Sequence, residues 1–253
     1  MKLRLSLTTF ALCALAAATP MHAAEISLIA PGGFRAAGEQ LIADFEKKTG
    51  NKVKGTFGSG LGTKAQVAKG EVFDVPVIQP PYDEVLRSGN VVEKSATPLA
   101  SVAVGVAVKR GAKKPDISNA EAVKKMLLAA KSVSYPDAKG GAAAGVSFLE
   151  TLKKLGIADQ MKATLKPAQG GAGAMKMAAT GEAEIGLTFM SEMEEPGIDV
   201  VGPLPASISE PTRLVGFLHA KSADPKTAQA LLDYLSSPAA AAVYKKMGMQ
   251  PAK

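Results

Sequence analysis

The 253-residue chain has one cysteine, Cys13, two histidines, His22 and His219, and no tryptophan. Cys13 and His22 both lie in an opening stretch with the marks of a removable secretory leader: basic Lys2 and Arg4, an apolar run from Leu5 to Ala18, and small residues around Ala23 and Ala24. That run is too short and too alanine-rich for a membrane span. With residues 1–24 removed, thiol nucleophiles, disulfides and Cys/His zinc sites are excluded, and His219 is the only imidazole left. No metal and no cofactor are expected. Nor is there a GxGxxG turn or a phosphate-loop Lys-Ser/Thr pair, so nucleotide binding is not supported. No dense Lys/Arg patch interleaved with aromatics exists, which removes nucleic acid as a partner. Internal repeats and low-complexity tracts are missing too.

What remains is an ordinary globular composition with a modest basic surplus. The leader carries two basic and no acidic residues, so formal charge falls from +7 to +5 on maturation. Such a surplus suits a small anionic ligand. About 230 mature residues are enough for one large domain or two small lobes.

Strand and helix patterns alternate from Ile26 onward, which predicts an α/β fold with mostly parallel sheets. The first unit is a strand from Ile26 to Ile29, a Pro31-Gly32-Gly33 turn, and a helix with Phe34, Leu41, Ile42 and Phe45 on one face. A second strand, Lys52 to Phe57, is followed by a loop Gly58 to Gly62 and a helix Thr63 to Lys69. The apolar run Ala100 to Val108 reads as a strand crossing into a second lobe. There, Ser118 is expected to cap a helix Asn119 to Ala130. The loop Pro136 to Gly145 feeds a helix from Val146, and the loop Gln169 to Gly173 feeds a helix from Ala174.

Four small-residue junctions of one kind thus recur, at Pro31 to Phe34, Gly58 to Gly62, Gly140 to Gly145 and Gly170 to Gly173. Each would direct unpaired helix N–H groups, and the positive end of a helix dipole, beyond the carboxyl ends of the strands. Open α/β sheets bind their ligands there, and such helix starts hold anions.

The order of motifs resembles the molybdate-binding-protein family of ABC importers. It runs through a first helix ending FEKKTG, a strand VKGTF, a GSG loop and a strand opening FDV. It continues with YPDAKGGAAAGVSFLETLKKLG, ATGEAEIGLTF and a tail LLDYLSSPAAAAVYKKMGM, across nearly the whole mature chain. The resemblance implies a type II periplasmic binding protein: two α/β lobes closing over a small ligand, lobe one at residues 25–100 with 212–253 and lobe two at 101–211. It also implies a periplasmic monomer that hands its ligand to an inner-membrane ABC permease.

Carried over position by position, the family's ligand contacts fall at Gly32, with Gly33 and Phe34 adjacent; at Gly60, beside Ser59; near Ala144; at Gly171 and Ala172; and at Phe189. Where the family places serines this chain has Gly32 and Gly60, and where it places a tyrosine it has Phe189, which has no hydroxyl. A buried oxygen left unpaired costs about 1–3 kcal/mol, so a molybdate-type oxyanion is disfavoured against an organic carboxylate. Arg35 and Arg213 are expected to grip that carboxylate by a planar fork; the alternatives are a solvated helix residue and a hinge salt bridge, respectively.

A receptor that performs no chemistry is the first expectation, and no catalytic residue is assigned. The second is an enzyme on the same scaffold, such as an isomerase of a tricarboxylic acid, which would need a base near the cleft. Glu192, Glu194 and Lys64 are available for that role. The run Ser191 to Glu195 reads more simply as a wet loop, and His219 as a strand residue. An adhesion module is disfavoured, because four donor-rich junctions would have no purpose in it.

Overall fold

The structure, a computed structural model, describes residues 24–252; the leader expected at residues 1–24 lies outside them except for Ala24. The chain opens with β1 (Glu25–Pro31), a 3-10 turn (Gly32–Phe34), α1 (Arg35–Thr49), β2 (Lys52–Gly58), α2 (Gly60–Ala68), β3 (Val75–Ile78) and α3 (Asp83–Arg87). β4 (Val91–Val102) then runs almost directly into β5 (Val104–Lys109). Next come α4 (Ala120–Ala129), β6 (Val133–Pro136), α5 (Ala143–Lys154), α6 (Ala158–Met161), β7 (Leu165–Ala168), α7 (Gly170–Thr180) and β8 (Ile185–Phe189). A second 3-10 turn (Met190–Glu192), β9 (Ile198–Pro203), β10 (Thr212–His219), α8 (Pro225–Leu235), α9 (Pro238–Lys246) and β11 (Gln250–Pro251) complete it.

Two sheets result. One has six strands in the order β11-β4-β10-β3-β1-β2, the other five in the order β7-β6-β8-β5-β9. The chain passes between them twice, at Ala103 from β4 to β5 and across Leu204 to Pro211 from β9 to β10. Both sheets are mixed, not mostly parallel. β1 pairs in parallel with β2 and β3, and β6 with β7 and β8, but the crossing strands β4, β5 and β10 all pair antiparallel with their neighbours. The reason is topological: a strand that carries the chain from one sheet to the other need not follow the right-handed helical crossover that makes βα units parallel.

Apolar faces dictate the layering. β1 buries Leu28, Ile29 and Ala30, and α1 lays Leu41, Ile42 and Phe45 against that sheet. Gly50, at φ 75°, ends α1 in the left-handed conformation that a glycine adopts without strain. In the other half, Phe148 and Leu152 of α5 and Met175 and Ala178 of α7 cover opposite parts of the five-stranded sheet. Among the described residues no helix is long and apolar enough to cross a membrane.

Several boundaries differ from the sequence expectation, in one consistent direction. α2, α5 and α7 begin at Gly60, Ala143 and Gly170 rather than at Thr63, Val146 and Ala174. The Gly/Ala-rich stretches read as loops are therefore first helical turns. Low helix propensity is overridden there by the need for backbone to face a cleft closely. Asn119, not Ser118, caps α4: its Oδ1 accepts from the Ala122 N–H at 3.0 Å. β4 starts at Val91, well before the apolar run at Ala100, because its first half is a half-exposed ribbon paired with β10.

Candidate functional site

A cavity of about 800 Å³ lies between the two sheets, off the carboxyl ends of β1, β2, β6, β7 and β8. Its walls include Pro31, Gly32 and Gly33; Gly58, Ser59 and Gly60; Gly140 and Ala142 to Ala144; Gly170 and Gly171; and Phe189. All four small-residue junctions contribute, two from each half. Ser59 caps α2, its hydroxyl accepting from the Gly62 N–H at 3.1 Å. The first 3-10 turn, α5 and α7 carry no side-chain cap, so their leading N–H groups are left to meet a guest in the cavity.

Of the residues singled out in the sequence, Gly32, Gly33, Arg35, Ser59, Gly60, Ala144, Gly171 and Phe189 line this cavity together. Three do not. Phe34 is fully buried and packs against Tyr244, ring centres 6.0 Å apart, because the 3-10 turn rotates its third residue into the core. Ala172 is turned outward on α7 and lines a smaller adjoining recess with Glu194 and Glu195. Arg213 lines a separate cavity on the far side of α2 and α5. Of the two arginines expected to grip a carboxylate, only Arg35 is at hand. It stands at the rim, its Nη2 donating to the Phe57 carbonyl at 3.1 Å, its guanidinium 5.1 Å from the centre of the Phe57 ring, and its Nη1 3.3 Å from Glu39.

The central side chain is Glu192. Rather than lying in a wet loop, it projects from the second 3-10 turn into the cavity, where the Thr188 hydroxyl donates to its Oε2 at 2.5 Å. The carboxyl sits between helix starts from opposite halves. A Cβ placed on Gly171 would fall 2.5 Å from Glu192 Oε2 and 2.6 Å from Thr188 Oγ1, and one on Gly32 would fall 3.4 Å from Glu192 Oε1. Glycine at 171 is thus what admits the carboxyl. Burial pushes the Glu192 carboxyl above the usual carboxylate range, and the Thr188 hydrogen bond opposes that only in part. No lysine or arginine forms an ion pair with it among the described residues.

Beside it, Ser191 is buried and its hydroxyl donates to the Gly33 carbonyl at 2.7 Å, tying the second 3-10 turn to the first across 158 residues of chain. Phe189 packs so closely on Gly33 that a Cβ there would lie 2.7 Å from the ring. Asp137 and Gln169 also line the cavity and were not foreseen. Glu192 was named in the sequence only as an available base just beyond Phe189, because a short acidic run reads more simply as solvent-facing surface. Lys64 lies outside this cavity. His219 is buried at the end of β10, where its Nδ1 accepts from the Lys221 N–H at 3.1 Å. Among the described residues no group of three or more His, Cys, Asp or Glu is arranged to hold a metal ion.

Two α/β halves, joined by crossing strands and facing each other over an anion-friendly cleft, define a binding protein of the periplasmic type. The chain belongs to the bacterial extracellular solute-binding protein family, whose profile it matches over residues 26–250. It is 34% identical to an aconitate isomerase of a Pseudomonas species over 97% of each chain. With the molybdate-binding protein ModA of Azotobacter vinelandii it shares 31% identity over 98% of each. The solved structure of an Azotobacter vinelandii periplasmic molybdate-binding protein superposes with a TM-score of 0.74 at 20% identity, covering 90% of this chain and 100% of that one.

Proposed function

We propose that the cleft takes a small organic polycarboxylate and that Glu192 moves a proton on it, making the chain an isomerase of an unsaturated tricarboxylic acid such as aconitate. The observation that carries this reading is the Glu192 carboxyl inside a cleft otherwise built for anions. In a pure oxyanion receptor such a group would repel the ligand. As an acid–base group it is well suited, since burial raises its pKa and so eases both acceptance and return of a proton.

The step balances without redox chemistry. Ionised Glu192 removes a proton from a carbon next to a ligand carboxylate. The electrons of the broken C–H bond form a new C=C bond, and those of the old C=C bond take the same proton back at the other end of the three-carbon unit. Negative charge that builds meanwhile on the carboxylates attached to the two ends of this unit faces the leading N–H groups of α5, α7 and the first 3-10 turn. Thr188 holds the carboxyl in place, and Arg35 at the rim supplies the remaining positive charge. The 34% identity with an aconitate isomerase supports this reading.

Gly32, Gly60 and Phe189, where hydroxyls would be needed, weigh against molybdate and tungstate. A second reading, a solute receptor that delivers a carboxylate to an ABC permease, is favoured by the two-half architecture and by the Ser191 to Gly33 bond across the cleft. In either case we take residues 25–100 with 212–253 and residues 101–211 as the two closing bodies, and the leader as the export signal to the periplasm. Incubation with trans-aconitate, followed by proton NMR, tests the choice: a second isomer forms if the chain is the enzyme, and binding without conversion supports the receptor.

A further inference from the structure

Behind the main cleft lies a second cavity of about 460 Å³, walled by α2, α5, the connection before β10, and the segment after β3. The Leu61 N–H, which donates to the Gly141 carbonyl at 3.3 Å, and Ala143, which lines both spaces, stand between them. Four polar side chains at this second cavity are almost wholly buried; Thr151 donates to the Ser147 carbonyl at 2.9 Å, and the others are Lys64 and Gln79 at 6% exposure and Ser209 at 4%. Lys64, Gln79 and Ser209 have hydrogen-bonding capacity to spare. The Lys64 ammonium donates only to the Pro80 carbonyl, at 3.3 Å, and has no carboxylate within salt-bridge distance among the described residues. Gln79 Oε1 and Ser209 Oγ have no partner at all. Unpaired buried groups of this kind are costly and rarely persist without a role.

At the mouth stand Arg213 and Lys154 with Glu150 and Glu210, all exposed, so the charges of the lining balance except for Lys64 at the base, on which Glu84 acts from outside the lining. The lysine donates, the glutamine oxygen accepts, and the serine does either. We propose that this cavity is a second binding site, for a small oxyanion that also carries one O–H group: hydrogen phosphate, or the hydroxycarboxylate end of an organic acid. The anionic oxygens meet Lys64 and Ser209, and the ligand hydroxyl donates to Gln79.

Its walls are shared with the main cleft. On α2, Gly60 lines the cleft and Lys64, one turn later, lines the second cavity; on α5, Ala144 and Ser147 divide in the same way. An anion gripped by Lys64 and Gln79 of one half and by Ser209, on the connection that leaves the other, holds these segments together beside α5, which favours the closed arrangement and tightens binding in the main cleft. This proposal does not depend on whether the main cleft performs chemistry.

Calorimetric titration of the full-length mature chain with inorganic phosphate, and separately with lactate, tests it and separates the two ligand sources. The expected result is binding of at least one probe that survives Gly32→Asp, which adds a carboxylate to Glu192 and Asp137 in the main cleft, and that weakens at least tenfold in Lys64→Met. Ser209→Ala, a smaller change that serves if Lys64→Met fails to fold, is expected to weaken it at least threefold. Loss in Gly32→Asp with full retention in Lys64→Met or Ser209→Ala would place all binding in the main cleft and overturn the proposal. So would the absence of binding for both probes at millimolar concentration.

Discussion

Glu192 is the residue on which the proposed chemistry turns, and its burial has a consequence for stability as well. A carboxyl whose pKa is raised by folding favours the native state below the range of an unfolded glutamate, about 4.3, and that contribution is lost as pH rises through the raised value. Glu192→Gln keeps the shape and the Thr188 partner but removes the charge. Thermal melts are therefore expected to show Glu192→Gln above the parent at pH 7–8 and level with it near pH 4; equal melting at both would mean that the carboxyl is not desolvated. Gly171 supplies a second check. Because any Cβ at this position meets both Glu192 and Thr188, Gly171→Ala is expected to displace the carboxyl and lower turnover at least tenfold while leaving the fold intact by circular dichroism.

At the level of elements, the site is a convergence of helix starts held together by the two 3-10 turns. Ser191 donates across the interface to Gly33, and that bond can exist only when the turns are in contact. Ser191→Ala removes about 1 kcal/mol of this contact, so a roughly fivefold fall in polycarboxylate affinity is expected by calorimetry. The order of elements was legible in the sequence, since apolar runs alternate with helical patterns and the glycine junctions punctuate them. The earlier starts of α2, α5 and α7 were not. Gly60 and Gly170 look like loop residues by propensity, and Ala143, a good helix former, was hidden by the glycines on either side of it. Phe34 and Arg213 were misplaced for a related reason. Neighbourhood to a motif in sequence says nothing about which way a turn points a side chain, and the 3-10 turn sends Phe34 into the core. Asp137 looked no different from solvated charges nearby, and Glu192, named as an available base, shared that role with Glu194 and Lys64, which lie outside the cleft.

For the molecule as a whole, charge distribution and donor type decide what the cleft selects. With Gly32, Gly60 and Phe189 in place of hydroxyl-bearing side chains, and Glu192 and Asp137 in the lining, a compact metal oxyanion would meet few donors and two carboxyl groups. A longer polycarboxylate spreads its charge over helix starts from both halves and reaches Arg35 at the rim. Thermal shift should therefore rise by several degrees with millimolar trans-aconitate and by little or nothing with micromolar molybdate or tungstate. The reverse order would return the cleft to oxyanions.

Catalysis by Glu192 is tested most directly by proton NMR of trans-aconitate mixed with the purified mature chain and, in parallel, with Glu192→Gln. The expected result is conversion to the cis isomer by the parent chain, and binding without conversion by Glu192→Gln. Unchanged trans-aconitate in the presence of a parent chain saturated with it, or equal conversion by the two proteins, would contradict the account.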